Sequence, residues 1–174
     1  MEVVNHGQIE RMTIPDGWVE GPRQQFQGIG TRSLREFHPP EAPEAQICLF
    51  YRGLPVDDES GEAFLSILGA PEHILSPEET ASLRGVLKER ADEALFELVK
   101  PAQTTTRGGR KALVLEGVYK QTKKYLHELV IAADAAGRVI QEIYFLGSQE
   151  DYYKYGADVQ AAFNSIEWKV PVQA

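Results

Sequence analysis

Tyr125-Leu126-His127-Glu128-Leu129-Val130-Ile131-Ala132 leads into Asp134-Ala135-Ala136-Gly137, and the chain returns as Arg138 to Leu146. The first run is rich in β-branched and large apolar residues, which fit a pleated, half-buried surface. Asp at the first turn position and Gly at the fourth predict a type I turn closed by a left-handed glycine bulge. That turn fixes the register, and register fixes the faces. With Asp134 opposite Arg138, Ile131 pairs with Gln141, Leu129 with Ile143 and His127 with Phe145. The other face then holds Ala132 with Ile140, Val130 with Glu142 and Glu128 with Tyr144. A slip of one residue sets Leu129 against Glu142 and Glu128 against Ile143, which is worse on both faces. Both faces of the preferred register keep apolar residues, so a sheet covered on two sides is expected.

Working outward, Lys111 to Tyr119 predicts a preceding strand and completes a three-strand meander. Ser148-Gln149-Glu150-Asp151 reads as a hydroxyl cap with a carboxylate three residues on. Tyr152, Tyr155, Val159, Phe163 and Ile166 follow at helical spacing, a stripe that would lie on the meander as core. Gly156 interrupts it, predicting a short first turn and a helix restarting near Ala157.

Upstream, Ala94 to Thr106 reads as another strand. Ser76-Pro77-Glu78-Glu79 predicts a capping box opening a helix that runs to about Ala91 through Leu83, Val86 and Leu87. Asp57-Asp58-Glu59-Ser60 opens a helix carrying Phe64, Leu65 and Leu68, with acids where the dipole favours them. It lacks the alternating ligands of a calcium loop. Ser33 to Phe37 and Gln46 to Arg52 read as a strand pair. Ile9 to Ile14 is a weak strand ended by the turn Pro15-Asp16-Gly17, and residues before it read as an N-terminal arm. Gly28-Ile29-Gly30-Thr31-Arg32-Ser33 lacks the third glycine and the following helix of a dinucleotide site, and is rejected as one.

The chain of 174 residues, 43% hydrophobic and 25% charged, has the make-up of one globular α+β domain spanning 1–174. Its single cysteine, Cys48, lies in an apolar run and reads as a buried thiol. The opening residues lack the pattern of a signal peptide and no apolar run reaches transmembrane length, so a cytoplasmic protein without membrane insertion is expected.

No catalytic constellation emerges, and neither an enzymatic activity nor a cofactor is expected. His6, His38, His73 and His127 show no metal-ligand spacing. His127, on an apolar strand face, and the carboxylates Glu128 and Glu142, sharing the other face, are the candidates for a pocket. Glu116 is a third strand carboxylate. Charge is uneven: residues 107–124 hold Arg107, Arg110, Lys111, Lys120, Lys123 and Lys124 against Glu116 alone. Without that stretch the chain has 12 basic and 25 acidic residues, a balance of −13 against −8 overall. The six cations fall at the two ends of one strand and are the candidate partner-binding residues. Nucleic acid is not expected, because the net charge is wrong and aromatics do not interleave with the cluster.

The order of elements resembles the PsbP/Mog-like superfamily. The likeness rests on Ile14-Pro15-Asp16-Gly17-Trp18 near the start. Later it rests on Gly137-Arg138-Val139-Ile140, Tyr152-Tyr153-Lys154-Tyr155 and Phe163-Asn164-Ser165-Ile166. The resemblance implies an α/β/α sandwich around an antiparallel sheet. It brings no shared active site, since its members include photosystem extrinsic subunits, a nuclear-transport factor that binds a small GTPase, and bacterial adaptors for secreted toxins. It therefore implies a protein-binding or adaptor role, with a bacterial cytoplasmic adaptor or binding protein the nearest analogue. Two alternatives stand beside it. One is a small-ligand carrier or enzyme with a pocket between sheet and helices. The other is an immunity protein whose acidic surface meets a basic toxin.

Overall fold

Eight antiparallel strands form the central sheet of the computed structural model, which describes residues 1–26, 32–53 and 55–170. In chain order the strands are β3 (Val19–Glu20), β4 (Gln24–Phe26), β5 (Arg32–His38), β6 (Gln46–Tyr51), β7 (Phe96–Arg107), β8 (Arg110–Tyr119), β9 (Tyr125–Ala132) and β10 (Ile140–Gly147). Their spatial order is β3-β5-β6-β10-β9-β8-β7, with β4 also pairing β5. The β9–β10 register is the one the turn chemistry predicts, Ile140 opposite Ala132 through Gly147 opposite Tyr125. Gly137 sits at φ 70, where a glycine is favoured, and Asp134 Oδ1 accepts from the amides of Arg138 and Val139.

One face carries α1 (Asp58–Gly69), α2 (Pro77–Ser82), α3 (Arg84–Leu87) and a 3₁₀ turn at Lys88–Ala91. Phe64, Leu68, Leu83, Val86 and Leu87 pack there on Leu113, Leu115, Val130 and Ile140. The opposite face is covered by α4 (Gln149–Asn164) and a small sheet of β1 (Glu2–His6), β2 (Ile9–Thr13) and β11 (Glu167–Trp168). Val3, Ile9, Met12, Val159 and Phe163 meet Leu129, Ile131, Ile143 and Phe145 in that core. The fold is α+β, an antiparallel sheet with helices on both faces, one outer layer being mixed helix and strand.

Three expectations are corrected. The helix at Gly156 is continuous from Gln149 to Asn164, because a Cβ-less residue on a partly covered face costs about 1 kcal/mol and does not outweigh the buried stripe. The helix from Pro77 breaks at Leu83 and again at Lys88. The breaks bring Leu83, Val86 and Leu87 all into the core and lay Gly85 against Ser60. The N-terminal arm is strand β1, returned by Asn5 and Gly7 in left-handed conformations, φ 56 and φ 55. Gly28 to Thr31 of the rejected glycine motif lie outside the described residues.

Near the start, Trp18 caps the Pro15–Gly17 turn and lies edge-on to Tyr155 at 5.8 Å, so the turn is packed onto α4. Strand β7 is an edge, and its pairing with β8 shifts register between Leu98 and Gln103 around Pro101. Bulges, a proline and Lys100 on an edge discourage pairing with another chain.

Candidate functional site

The short helices cover only part of their face. On strands β6, β9 and β10 the inward positions Phe50, Leu126, Tyr144 and Leu146 lie beyond them, with Tyr119 at the end of β8. Together they line an open pocket of about 430 Å³. Lys88, Glu89 and Arg90 form its wall, and Arg32 leans over the ring of Phe50 at 4.9 Å.

At the closed end lies a buried charge network. Glu128 and Glu142 project from neighbouring strands on this face, diagonally placed by the β9–β10 register. Arg90, on the 3₁₀ turn, puts one guanidinium nitrogen on both carboxylates, Glu128 Oε1 and Glu142 Oε1. Its Nε donates to Leu87 O at 2.9 Å. Arg52, just past the end of β6, donates from Nε to Glu142 Oε2 at 2.9 Å and from Nη2 to Val86 O at 2.6 Å. All four residues are buried, Arg52 at 7% and Glu128 at 1% exposure.

The two carboxylates do not share one environment. Burial pushes Glu128 well above the usual range, with Arg90 opposing and the neighbouring Glu142 adding to the rise. Burial also works against Glu142, but Arg90 and Arg52 together hold it down to about 2. Arg90 is held charged by both carboxylates against its own burial. Burial pushes Tyr119 up to about 12 and lifts the Cys48 thiol, so neither supplies an anion at neutral pH.

Lys88 sits at φ 54, ψ −125, a conformation that a side chain with a Cβ rarely adopts. Backbone strain of this kind clusters at sites where geometry serves binding or switching. Lys88→Gly is expected to stabilise the protein by about 1 kcal/mol, as relief of strain exceeds the entropy of the added glycine. Urea denaturation checks it. A lower midpoint for the variant would mean the conformation carries no strain.

The structure separates the sequence candidates. Glu128 and Glu142 meet in the pocket, whereas His127 points to the opposite layer. There its Nδ1 lies 2.9 Å from Glu116 Oε1, and Gln160 Nε2 lies 3.0 Å from its Nε2. With Gln160 donating to Nε2, the ring proton sits on Nδ1 and is donated to Glu116. The ring stacks on Phe163 at 5.5 Å, so His127 fastens α4 to the sheet. Burial disfavours the Glu116 charge, but His127, Tyr125 and Lys100 bring it down to about 2.

The basic residues divide between strand ends, as expected. Arg107 bonds Asn164 at 2.5 Å, and Arg110 reaches Gln8 and Ala132 O while covering the Trp168 ring. Lys111 lines a cleft beside Arg110. At the other end Lys124 pairs with Glu44, Lys123 holds a left-handed turn position, and Lys120 is exposed. Among the described residues no group of three His, Cys, Asp or Glu side chains is placed to hold a metal, and no helix is long and apolar enough to cross a membrane.

Sequence reading missed Arg52 and Arg90. The available signal was the pair of glutamates on an otherwise apolar strand face, because buried carboxylates require countercharges.

No family model and no curated protein matches the chain. Among solved structures it is similar to the solution structure of cyanobacterial PsbP from Synechocystis sp., with a TM-score of 0.54 and 9% identity. The match covers 97% of this chain and 92% of that chain. It supports the PsbP side of the expected resemblance and does not bear on the Mog side. The likeness is one of fold alone.

Proposed function

We propose that this PsbP-like domain is a non-enzymatic binding module for a protein partner, and that its recognition surface is the open half of the helix-bearing face. The observation that carries the reading is the pocket itself. Aromatic and aliphatic side chains, Phe50, Leu126, Tyr144 and Leu146, stand beside a charge network whose groups already engage one another. Recognition sites commonly combine an apolar lining with a few fixed polar groups. Catalysis is less well served there. Glu142, held low by two arginines, is a poor base, and among the described residues no serine, threonine, cysteine or histidine lines the pocket.

A second reading rests on the carboxylate pair. Environments that push Glu128 up and Glu142 down are those of an acid–base pair. This would make the pocket a site for proton transfer on a small molecule.

Affinity capture from the native lysate separates the two, using the wild type and a Leu146→Lys variant shown by circular dichroism to be folded. One stoichiometric protein is expected with the wild type and lost with the variant. Reversing Lys120, Lys123 and Lys124 to glutamate is expected to leave it in place. Empty captures together with turnover of a small substrate would overturn the binding reading in favour of the second.

A further inference from the structure

We infer that the cleft between α1 and the small sheet, at the start of β8, binds a small phosphate monoester. The site lies beyond the proposed recognition surface, since Tyr119 of that pocket and Arg110 of this cleft are opposite ends of β8. The two readings stand or fall separately.

The cleft has a volume of about 810 Å³, within the usual range of ligand sites. Leu65 and Leu68 line it from α1, and Gln8 and Trp168 from the small sheet. Three cations share the lining, Arg110 and Lys111 at the start of β8 and Lys169 just after β11. All three are partly buried, and among the described residues none of them forms an ion pair. In a chain with 26 acidic and 18 basic side chains, three unpaired cations in one cleft mark a place kept positive.

Arg110 is the anchor. It donates from Nη1 to Ala132 O and from Nη2 to Gln8 Oε1, each at 3.3 Å, both neutral acceptors at the long end of hydrogen-bond range. Burial draws it below the usual guanidinium range, with no carboxylate to oppose the shift. Its Nε has no acceptor among the described residues and, unlike the sealed Nη1 of Arg52, remains open to solvent. The centre of the Trp168 ring lies 5.5 Å from the guanidinium carbon and helps to fix it.

Charge selects the ligand. Arg110, Lys111 and Lys169 stand against Asp134 alone, an excess of two positive charges. Asp134 is already occupied with the amides of Arg138 and Val139. A phosphate monoester brings a charge of about −1.5 to −2 at pH 7 and three acceptor oxygens, one for each cation. A carboxylate supplies about half that charge and one oxygen fewer. Leu65, Leu68, Ala133 and Ala135 give the ester's organic body an apolar surface to rest on.

The test titrates ¹⁵N-labelled full-length protein at pH 7 and constant ionic strength with phenyl phosphate, phenyl sulfate and inorganic phosphate. Phenyl sulfate keeps the shape with a single charge, and inorganic phosphate keeps the charge without the body. Phenyl phosphate is expected to shift the amides of residues 108–111, 133–135 and 168–170. It should bind roughly tenfold tighter than either control. Arg110→Gln is expected to abolish the shifts, and Lys111→Gln or Lys169→Gln to weaken binding several-fold. The ammonium groups of both lysines reach solvent, so their variants keep the test decisive should Arg110→Gln fail to fold. Either control binding as tightly as the ester would overturn the proposal. So would shifts that are absent or confined to other residues, or an affinity unchanged in both lysine variants.

Discussion

Arg90→Met is expected to lower the stability of the folded protein by about 3–5 kcal/mol, the usual cost of removing one partner from a buried ion pair. Methionine keeps much of the volume, so the loss is electrostatic. It leaves Glu128 with no cation in contact and Glu142 with Arg52 alone. Both carboxyls would rise in the variant, Glu142 from about 2. A raised carboxyl takes up its proton in the folded chain before the unfolded chain does, so the variant gains stability as the solution is acidified towards pH 4. The deficit relative to wild type should therefore be largest at neutral pH and shrink on acidification. Adding Glu128→Gln should recover part of it by removing one buried charge. Urea unfolding at pH 7 and pH 4.5 reads all three effects. A loss below about 1 kcal/mol at pH 7 would mean that water already solvates the network.

The second large effect is a pH dependence that belongs to the opposite layer. His6 anchors the small sheet to the large one. Its Nε2 lies 3.1 Å from Ser33 Oγ, and Gln141 Nε2 donates to His6 O at 3.0 Å while Gln141 Oε1 accepts from the Gln8 amide at 2.7 Å. Burial, then the nearby Arg35, Arg23 and Lys169, lower His6 to about 4 against the opposing pull of Glu20. Between pH 6.5 and 4 the unfolded chain therefore takes up a proton that the folded chain refuses. The His6 contribution is complete above pH 6.5 and is lost as pH falls towards 4, a total of about 3 kcal/mol. Glu128, raised by burial, acts in the opposite sense above its unfolded value, so the histidine is isolated by difference. Wild type minus His6→Gln should show a stability difference that rises from pH 4 to 6.5 and is flat above it. Below about pH 4.5, Glu116 and Glu142 add a further loss, since both are depressed to about 2. A flat difference across pH 4 to 6.5 would show that the histidine is hydrated in the folded state.

Much of the fold was legible because strand alternation and turn chemistry agree locally. Asp134 and Gly137 fix a bulged turn, and the bulge sets every partner from Ile140 to Gly147. The same period of two places His127 and Glu128 on opposite faces, which is why they serve different layers. Ser76 and Ser148 cap their helices as their sequences indicate. The helix after Pro77 was not legible, because its breaks answer the position of Ser60 and the core beneath Leu83 and Leu87. Strand β1 was not legible either, since only Val3 and His6 of its five residues are buried. The candidate site was half visible. Glu128 and Glu142 could be placed on one face, but Arg90 reaches Glu128 across 38 positions and Arg52 reaches Glu142 across 90. In sequence Arg90 looks like the charged end of a surface helix, and Arg52 like the solvated end of a strand. Topology alone brings them in.

On the proposed reading, a partner sits on the open half of the helix-bearing face. Hydrogen exchange of the captured complex against the free protein tests it most directly. Added protection is expected at residues 50–53, 88–90, 119 and 142–147, with the 107–111 turn and the outer face of α4 unchanged. Protection confined to residues 107–111 or 120–124, with the pocket exchanging as in the free protein, would contradict it.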